Sequence, residues 1–418
     1  MSLSSSETSP LRTLRAVPEP KSIALRDNEV KALEELSRLI LHNYVDQCEE
    51  LERARVHAAT GNPSSTNATS DGVDERVWKL LKQGDDFAIF KQRKPQRDSS
   101  LCRTVADFSA SGAVAPSDLP VILALGHSVG SLDGIMYGIV SPTVEAMRVK
   151  SAYIDDHFVD VAMLATLASP SHEDPYQSLL VKWGILDPLM ILRPAVNHRD
   201  FVYMERTGLA YTSTGERVGY HLIHSVHFPH THELSGTLRG NLSTCDAYQD
   251  SRELKRYDRP ALVALAAADM LTVADKYVEC AQRKKLMWRV RRARRSRSVD
   301  GCEAHSTSSS ATASPDKLGP CTICLRMPLQ LADVLRDPRK RTCALCARVK
   351  KTLSEVTSPT AVLRQRSYSF CGACYNNVCE ANTFAIAQQE LAGSDVENHE
   401  AVIETLSAGS DLLSPVMF

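Results

Sequence analysis

An α+β fold is what this 418-residue chain predicts: an antiparallel sheet backed by a long helix, with a small cysteine-rich module after it. Three observations carry that expectation. Between positions 179 and 247, short apolar runs follow one another across connections containing Gly, Pro or Asn, which favours antiparallel neighbours over strand–helix repeats. A long helical pattern comes next. Near the C-terminus stand three Cys-x-x-Cys pairs, Cys321/Cys324, Cys343/Cys346 and Cys371/Cys374. Two residues between thiols let one tight turn present both sulfurs to a single tetrahedral ion, so the spacing points to Zn2+.

The N-terminal 26 residues are rich in Ser and Pro, which predicts disorder. A helix is expected over about 27–57, where Val30, Leu33, Leu36, Leu39, Ile40, Tyr44 and Cys48 recur on one stripe. The stretch AATGNPSSTNATSDG then has linker composition and separates that helix from the main body. Net charge is -1, so no global field draws the chain to nucleic acid or anionic lipid, and no nucleic-acid partner is expected. The first residues lack the apolar core of a secretory signal, and no apolar run is long enough to span a membrane. The expected setting is cytoplasmic and reducing, where paired cysteines hold metal more often than they form disulfides.

In the body, strands are expected at 86–93, 119–125, 179–185, 200–205, 217–228 and 238–247, with helices at 132–146 and 155–166. The long helix is expected from Pro260, a residue suited to the first helical turn, through Leu262, Leu265, Leu271, Tyr277 and Val278 into MWRVRRARR. Its end, Arg283 to Arg297, is strongly basic. Three uses suit it: a solvated helix terminus favoured by the macrodipole, a patch in which Trp288 and the cations meet an anionic bilayer, or, more weakly, a nucleic-acid or nuclear-import contact. A Ser/Thr-rich linker follows, and the chain ends in an acidic tail.

Two groups of motifs go beyond spacing. CTIC, RKRTCALC and SFCGACY together resemble a FYVE zinc finger, with a basic run entering the second cysteine pair and a final Cys-x-x-Cys-Tyr. LLVKWGI (179–185), RDFVYMERTG (199–208), GERVGYHLIHSVHFP (215–229) and the helix after them resemble a START-type lipid-binding domain. The pairing is similar to the START-FYVE proteins of filamentous microbial eukaryotes. It implies a helix-grip fold, a curved antiparallel sheet whose long C-terminal helix closes a hydrophobic tunnel. The boundaries it suggests are 76–295 for the START-like domain, 296–316 for the linker, 317–384 for the finger and 385–418 for the tail, after an N-terminal segment of 1–75.

Alternation in the 217–228 strand puts Val218, Tyr220, Leu222, His224, Val226 and Phe228 on one face, where with Trp183 they would line a core or the implied cavity. On an apolar face His224 is expected as a hydrogen-bonded core histidine. In the finger, the family's interleaved pairing makes Cys343, Cys346, Cys371 and Cys374 the complete zinc site. Cys321 and Cys324 are left facing Lys351 and Ser354, an incomplete site that Cys302, His305 or Cys379 would have to finish. The family's phosphoinositide contact falls on Arg339, Lys340 and Arg341, with Arg341 and Thr342 in place of two histidines.

Two motifs compete with this reading. Gly126-His127-Ser128-Val129-Gly130 has the spacing of a serine-esterase nucleophile elbow, with Asp187 and His221 or His224 as candidate partners. The histidines of HFPHTH (His227, His230, His232) lack a well-spaced acidic partner and read as a surface loop. The expected function is therefore non-enzymatic. A START-like domain holds a hydrophobic ligand, and a degenerate FYVE-like finger aids recruitment to a phosphoinositide-bearing, endosomal membrane or to a protein. The alternative is a protein-interaction scaffold that binds no lipid.

Overall fold

The computed structural model describes residues 22–59, 73–84, 87–93, 122–156, 158–186, 198–228, 231, 237–241, 243–249, 260–263, 273–299, 320–325, 349–357 and 362–393. Its centre is a ten-stranded sheet in the order β1-β2-β3-β10-β9-β7-β6-β5-β4, with β8 beside β6. The strands are β1 (Trp78–Gln83), β2 (Phe87–Gln92), β3 (Ile122–His127), β4 (Phe158–Ala168), β5 (Ser178–Leu186), β6 (Arg199–Tyr211), β7 (Arg217–Ser225), β8 (Leu238–Arg239), β9 (Ser243–Gln249) and β10 (Pro260–Val263). Every pairing but the short one of β8 with β6 is antiparallel, as the short connections predicted. The β6–β7 turn shows why so little chain suffices. Gly215 takes φ +79, a left-handed conformation that lets its N–H reach the Thr212 carbonyl.

Helices cover both faces of the sheet. Helix α1 (Asp27–Ala59) lies on one face, where Leu33, Leu36 and Ile40 pack against Val181, Trp183, Val202, Met204 and Leu222. On the other face lie α2 (Leu132–Ile139), α3 (Val144–Ile154) and the long α4 (Val273–Val299), whose core includes Leu132, Met136, Tyr248, Tyr277 and Cys280. Ser131 and Thr143 cap α2 and α3 by accepting the N–H groups of Gly134 and Ala146. The approach of α2 to α4 requires glycine: a Cβ on Gly138 would strike the Tyr277 carbonyl.

Three expectations are corrected here. The helix expected over 132–146 is two helices, because Pro142 and the capping Thr143 end one and start the next. The segment expected as a helix over 155–166 is strand β4, since Asp155 at φ 53 closes α3 and the β-branched residues then pair with β5. Pro260 begins not the long helix but β10, which bridges β3 and β9, and α4 starts at Val273.

The cysteine-rich module is built on a hairpin, β11 (Val349–Thr357) with β12 (Val362–Phe370), followed by α5 (Gly372–Glu380) and a helix over 383–393, α6. It docks on α4. Leu286, Met287 and Val290 of α4 bury Leu353, Phe370 and Val378. Adjacent lysines on α4 tie the two halves together: Lys284 donates to the carbonyls of Tyr137 and Val140 at the end of α2, and Lys285 to those of Cys379 and Ala381 at the end of α5. Arg294 donates to the Tyr368 hydroxyl and Arg297 to the Thr322 carbonyl. Much of the basic stretch is thus an internal clamp, and none of the three expected uses describes it fully.

Candidate functional site

Four cysteines converge at the open end of the hairpin. Cys321 and Cys324 sit in a tight knuckle closed by the Leu325 N–H donating to the Cys321 carbonyl, with Leu325 in the left-handed region at φ 58. Thr322 pins that knuckle to the hairpin by donating its N–H and hydroxyl to the Ser369 carbonyl. Cys371 is the N-cap of α5 and Cys374 lies in its first turn, so the positive end of the helix faces the sulfurs. All four sulfurs lie within 4.8 Å of one another, and Cys324 Sγ is 3.9 Å from Cys371 Sγ. With Zn–S near 2.3 Å, the edge of a four-thiolate tetrahedron is about 3.8 Å, so the donor set and its spacing suit a closed structural zinc site.

The electrostatics show why such a group wants a cation. Burial opposes ionisation of Cys321, but backbone N–H groups of Cys324, Cys371 and Ile323 outweigh it and bring the thiol down to about 6. Cys374 moves the other way, held up by burial and by the neighbouring cysteines. Four thiolates at this spacing repel unless a metal neutralises them.

This grouping differs from the one expected. The family's interleaving joined Cys371 and Cys374 to Cys343 and Cys346; the structure sets them against Cys321 and Cys324 instead. The reason is local: the hairpin's paired ends carry Thr322 beside Ser369, which delivers the knuckle to the start of α5. Lys351 and Ser354 stand on β11, Lys351 opposite Tyr368, while the Ser354 N–H meets the Tyr153 hydroxyl. Cys343, Cys346, Cys302 and His305 lie outside the described residues, as do Arg339, Lys340 and Arg341.

The residues expected to line a core or cavity form a core. Trp183, Leu222 and Val226 are buried, with Phe228 partly so, in the cluster beneath α1, and Trp183 donates its indole N–H to Asp200. Val218 and Tyr220, on the same strand face, are also buried. His224 shares a hydrogen bond with Ser243 at 2.9 Å, and burial pushes its pKa down to about 4.

The opposite strand face, toward α4, carries a charged cluster that alternation did not single out. Lys182 and Glu205 form a fully buried ion pair, His221 Nε2 is 3.0 Å from Glu205, and Lys150 Nζ is 3.7 Å away. His221 Nδ1 lies 3.6 Å from Asp246. Burial disfavours the Glu205 carboxylate, yet Lys182, Lys150 and His221 together hold its pKa well below the usual range. Burial brings Lys182 down to about 8 against the opposing pull of Glu205. The signal was present in the sequence, a Lys inside LLVKWGI and a Glu inside FVYME, where an apolar run pays for a charge only if it is paired.

Between α3, α4, the hairpin and α6 opens a cleft of about 280 Å³. Its walls include Val140, Ala146, Val149, Met287, Val356 and Leu391, with Lys284, Arg291, Glu145 and Glu390 among its charged groups. Sequence reasoning could not reach it, because its walls come from segments far apart in the chain.

The esterase constellation does not assemble. The Ser128 hydroxyl donates to Asp275 in the first turn of α4 at 2.8 Å, while His221 and His224 are engaged elsewhere on opposite faces of the sheet. Asp187, His230 and His232 lie outside the described residues. The antiparallel neighbours of β3 also differ from the parallel setting of a nucleophile elbow.

No protein-family profile matches the sequence, and no curated protein is significantly similar to it. Among solved structures the chain is similar to human StAR-related lipid transfer protein 5, at 13% identity over 57% of this chain and 97% of that one, with a TM-score of 0.31. It is also similar to human STARD10, at 10% identity over 49% of this chain and 73% of that one, TM-score 0.30. A third is a STAR-related lipid transfer protein fragment from Xanthomonas axonopodis, at 13% identity over 48% and 92%, TM-score 0.27. Among the described residues no helix is long and apolar enough to cross a membrane.

Proposed function

We propose that the protein binds a lipid or other hydrophobic ligand without chemically altering it, and that its cysteine-rich module is a zinc-held finger aiding recruitment to a membrane or protein partner. The observation that carries this reading is the cleft of about 280 Å³ beside α4, where apolar walls from Val140, Ala146, Val149, Met287, Val356 and Leu391 share the lining with Lys284, Arg291, Glu145 and Glu390. Such a lining suits a small hydrophobic ligand, and the volume lies near the lower end of the range for such sites. The START-type resemblance of the body points the same way. For the finger, the FYVE-like motifs and the cations Arg339, Lys340 and Arg341 support contact with a phosphoinositide, hence a peripheral place on endosomal membranes. Engagement of the Ser128 hydroxyl by Asp275 supports a non-enzymatic role.

One observation favours the scaffold as a second reading. Between sheet and α4, the described residues are closely packed around α2: a Cβ on Gly219 would come within 2.6 Å of Met136 Sδ, so this part of the implied tunnel is filled. Native mass spectrometry of purified full-length protein, with lipid extraction, metal analysis and liposome flotation, separates the two. Co-purified lipid and one zinc per chain are the expected results. Absence of both lipid and liposome binding would establish the scaffold, and two zinc ions per chain would refute the degenerate finger.

A further inference from the structure

We propose that the cleft is a binding site for a single-chain amphiphile with an anionic head, and that the site is complete only while the cysteine-rich module holds its metal. This rests on the lipid-binding reading and adds to it a location, a headgroup charge and a dependence on metal. The walls supplied by Val149, Met287, Val356 and Leu391 are apolar and come from four elements, giving an acyl chain somewhere to leave water.

Two cations and two carboxylates line the cleft, and their hydrogen-bond partners point to the head. Lys284 is engaged by two backbone carbonyls, and Glu390 accepts the Tyr137 hydroxyl at 2.6 Å. Arg291, half-buried and one helical turn beyond Met287, makes no hydrogen bond or ion pair among the described residues. Glu145 is exposed in the first turn of α3, where the helix end already favours an anion. Of the two cations, Arg291 is the one whose donors are not taken up by backbone carbonyls, and its planar fork suits a carboxylate or phosphate.

The metal dependence follows from who builds the walls. Val356 belongs to β11, whose partner strand β12 runs directly into Cys371, and Leu391 lies on α6, just after the helix that carries Cys374. A module this small has too little core to hold its shape without a staple, and here the staple is the four-cysteine group. Releasing the ion frees the hairpin wall that carries Val356, while Leu391 stays on α6, whose Ile386 and Ala387 pack in the core with α2. By linkage, the amphiphile must in turn strengthen metal retention.

The test uses full-length protein and cis-parinaric acid, a fluorescent fatty acid, with hexadecanoate and hexadecan-1-ol as competitors. Ala146→Trp and Leu391→Trp fill the cleft from different elements, and each is expected to weaken binding about tenfold or more. Arg291→Glu should weaken hexadecanoate about tenfold while leaving the alcohol nearly unchanged. A zinc chelator should release the probe, and added zinc should restore it. Unchanged affinity in both tryptophan variants, with native circular dichroism and metal content, would overturn the site while leaving co-purified lipid to support the wider reading. Equal effects of Arg291→Glu on acid and alcohol would overturn the anionic head, and full probe binding after metal removal would overturn the coupling.

Discussion

Replacing Glu205 by Ala probes the buried charged cluster most sharply, because the loss can be worked out in advance. Glu205 is the carboxylate shared by Lys182, Lys150 and His221, and the Lys182 side chain is 0% exposed. Without Glu205, Lys182 keeps only the Ser141 carbonyl and hydroxyl. The cheapest escape for a stranded buried ammonium is to lose its proton. From an ordinary lysine value of 10.5, at about 1.4 kcal/mol per pH unit, that escape costs about 5 kcal/mol at pH 7 and about 2 kcal/mol at pH 9. These figures set the scale of the loss from Lys182 alone, and the pH 7 value agrees with the roughly 3–5 kcal/mol seen when one member of a buried pair is removed. The sign follows from proton binding: the unfolded chain keeps the lysine proton to higher pH than the folded one, so the variant's stability relative to wild type rises with pH until wild-type Lys182, itself brought down to about 8, loses its proton as well. Urea unfolding of both proteins at pH 7 and pH 9, followed by circular dichroism, measures the gap. A loss below about 1 kcal/mol at pH 7, or one that does not shrink by pH 9, would refute the idea that Lys182 is buried as a charge held by Glu205.

The remaining predictions concern other parts of the same architecture. Burial opposes the His221 charge, but Asp246 and Glu205 outweigh it and raise the pKa above 6.5; its contribution to stability is therefore complete below about 6.5 and is lost as pH rises through the raised value. His221→Gln should flatten that stretch of the stability profile, and an unchanged slope between pH 6 and 8 would count against the cluster. Cys321→Ser should lose bound zinc while Cys343→Ser retains it, as read by metal analysis; the reverse result would restore the pairing expected from the family pattern. Leu36→Ala, at a position 2% exposed against the sheet, should cost about 2–5 kcal/mol in urea unfolding, and a loss under 1 kcal/mol would mean that α1 is not seated there. A fluorophosphonate probe should leave Ser128 unlabelled, since its hydroxyl is given to Asp275; covalent labelling would revive the esterase.

What could be read from the chain alone was local. Cysteines two residues apart announce a metal knuckle because a single turn decides whether both sulfurs can point the same way. Strand alternation put Val218 and Leu222 on one side of β7, because the pleat has a period of two whatever surrounds it. Short connections forced antiparallel neighbours.

The decisions that needed tertiary structure were all choices among equivalent local solutions. Each Cys-x-x-Cys pair is as good a half-site as the next, and the entropy of closing the loop between pairs changes only slowly with its length. Which pairs meet was decided by the hairpin that sets Thr322 beside Ser369. Alternation divides a strand into two faces without saying what covers either, so the apolar face of β7 could be a core under α1 or the lining of a cavity until α1 was seen to pack there. Charges within apolar strands were visible at Lys182 and Glu205, but their partnership required β5 and β6 to pair and α4 to close over them. Sequence by itself determined the parts: an antiparallel sheet, a long basic helix and thiol pairs spaced for zinc. Only the tertiary structure decided their partners, because packing, pairing and charge neutralisation act between segments that the chain order keeps apart.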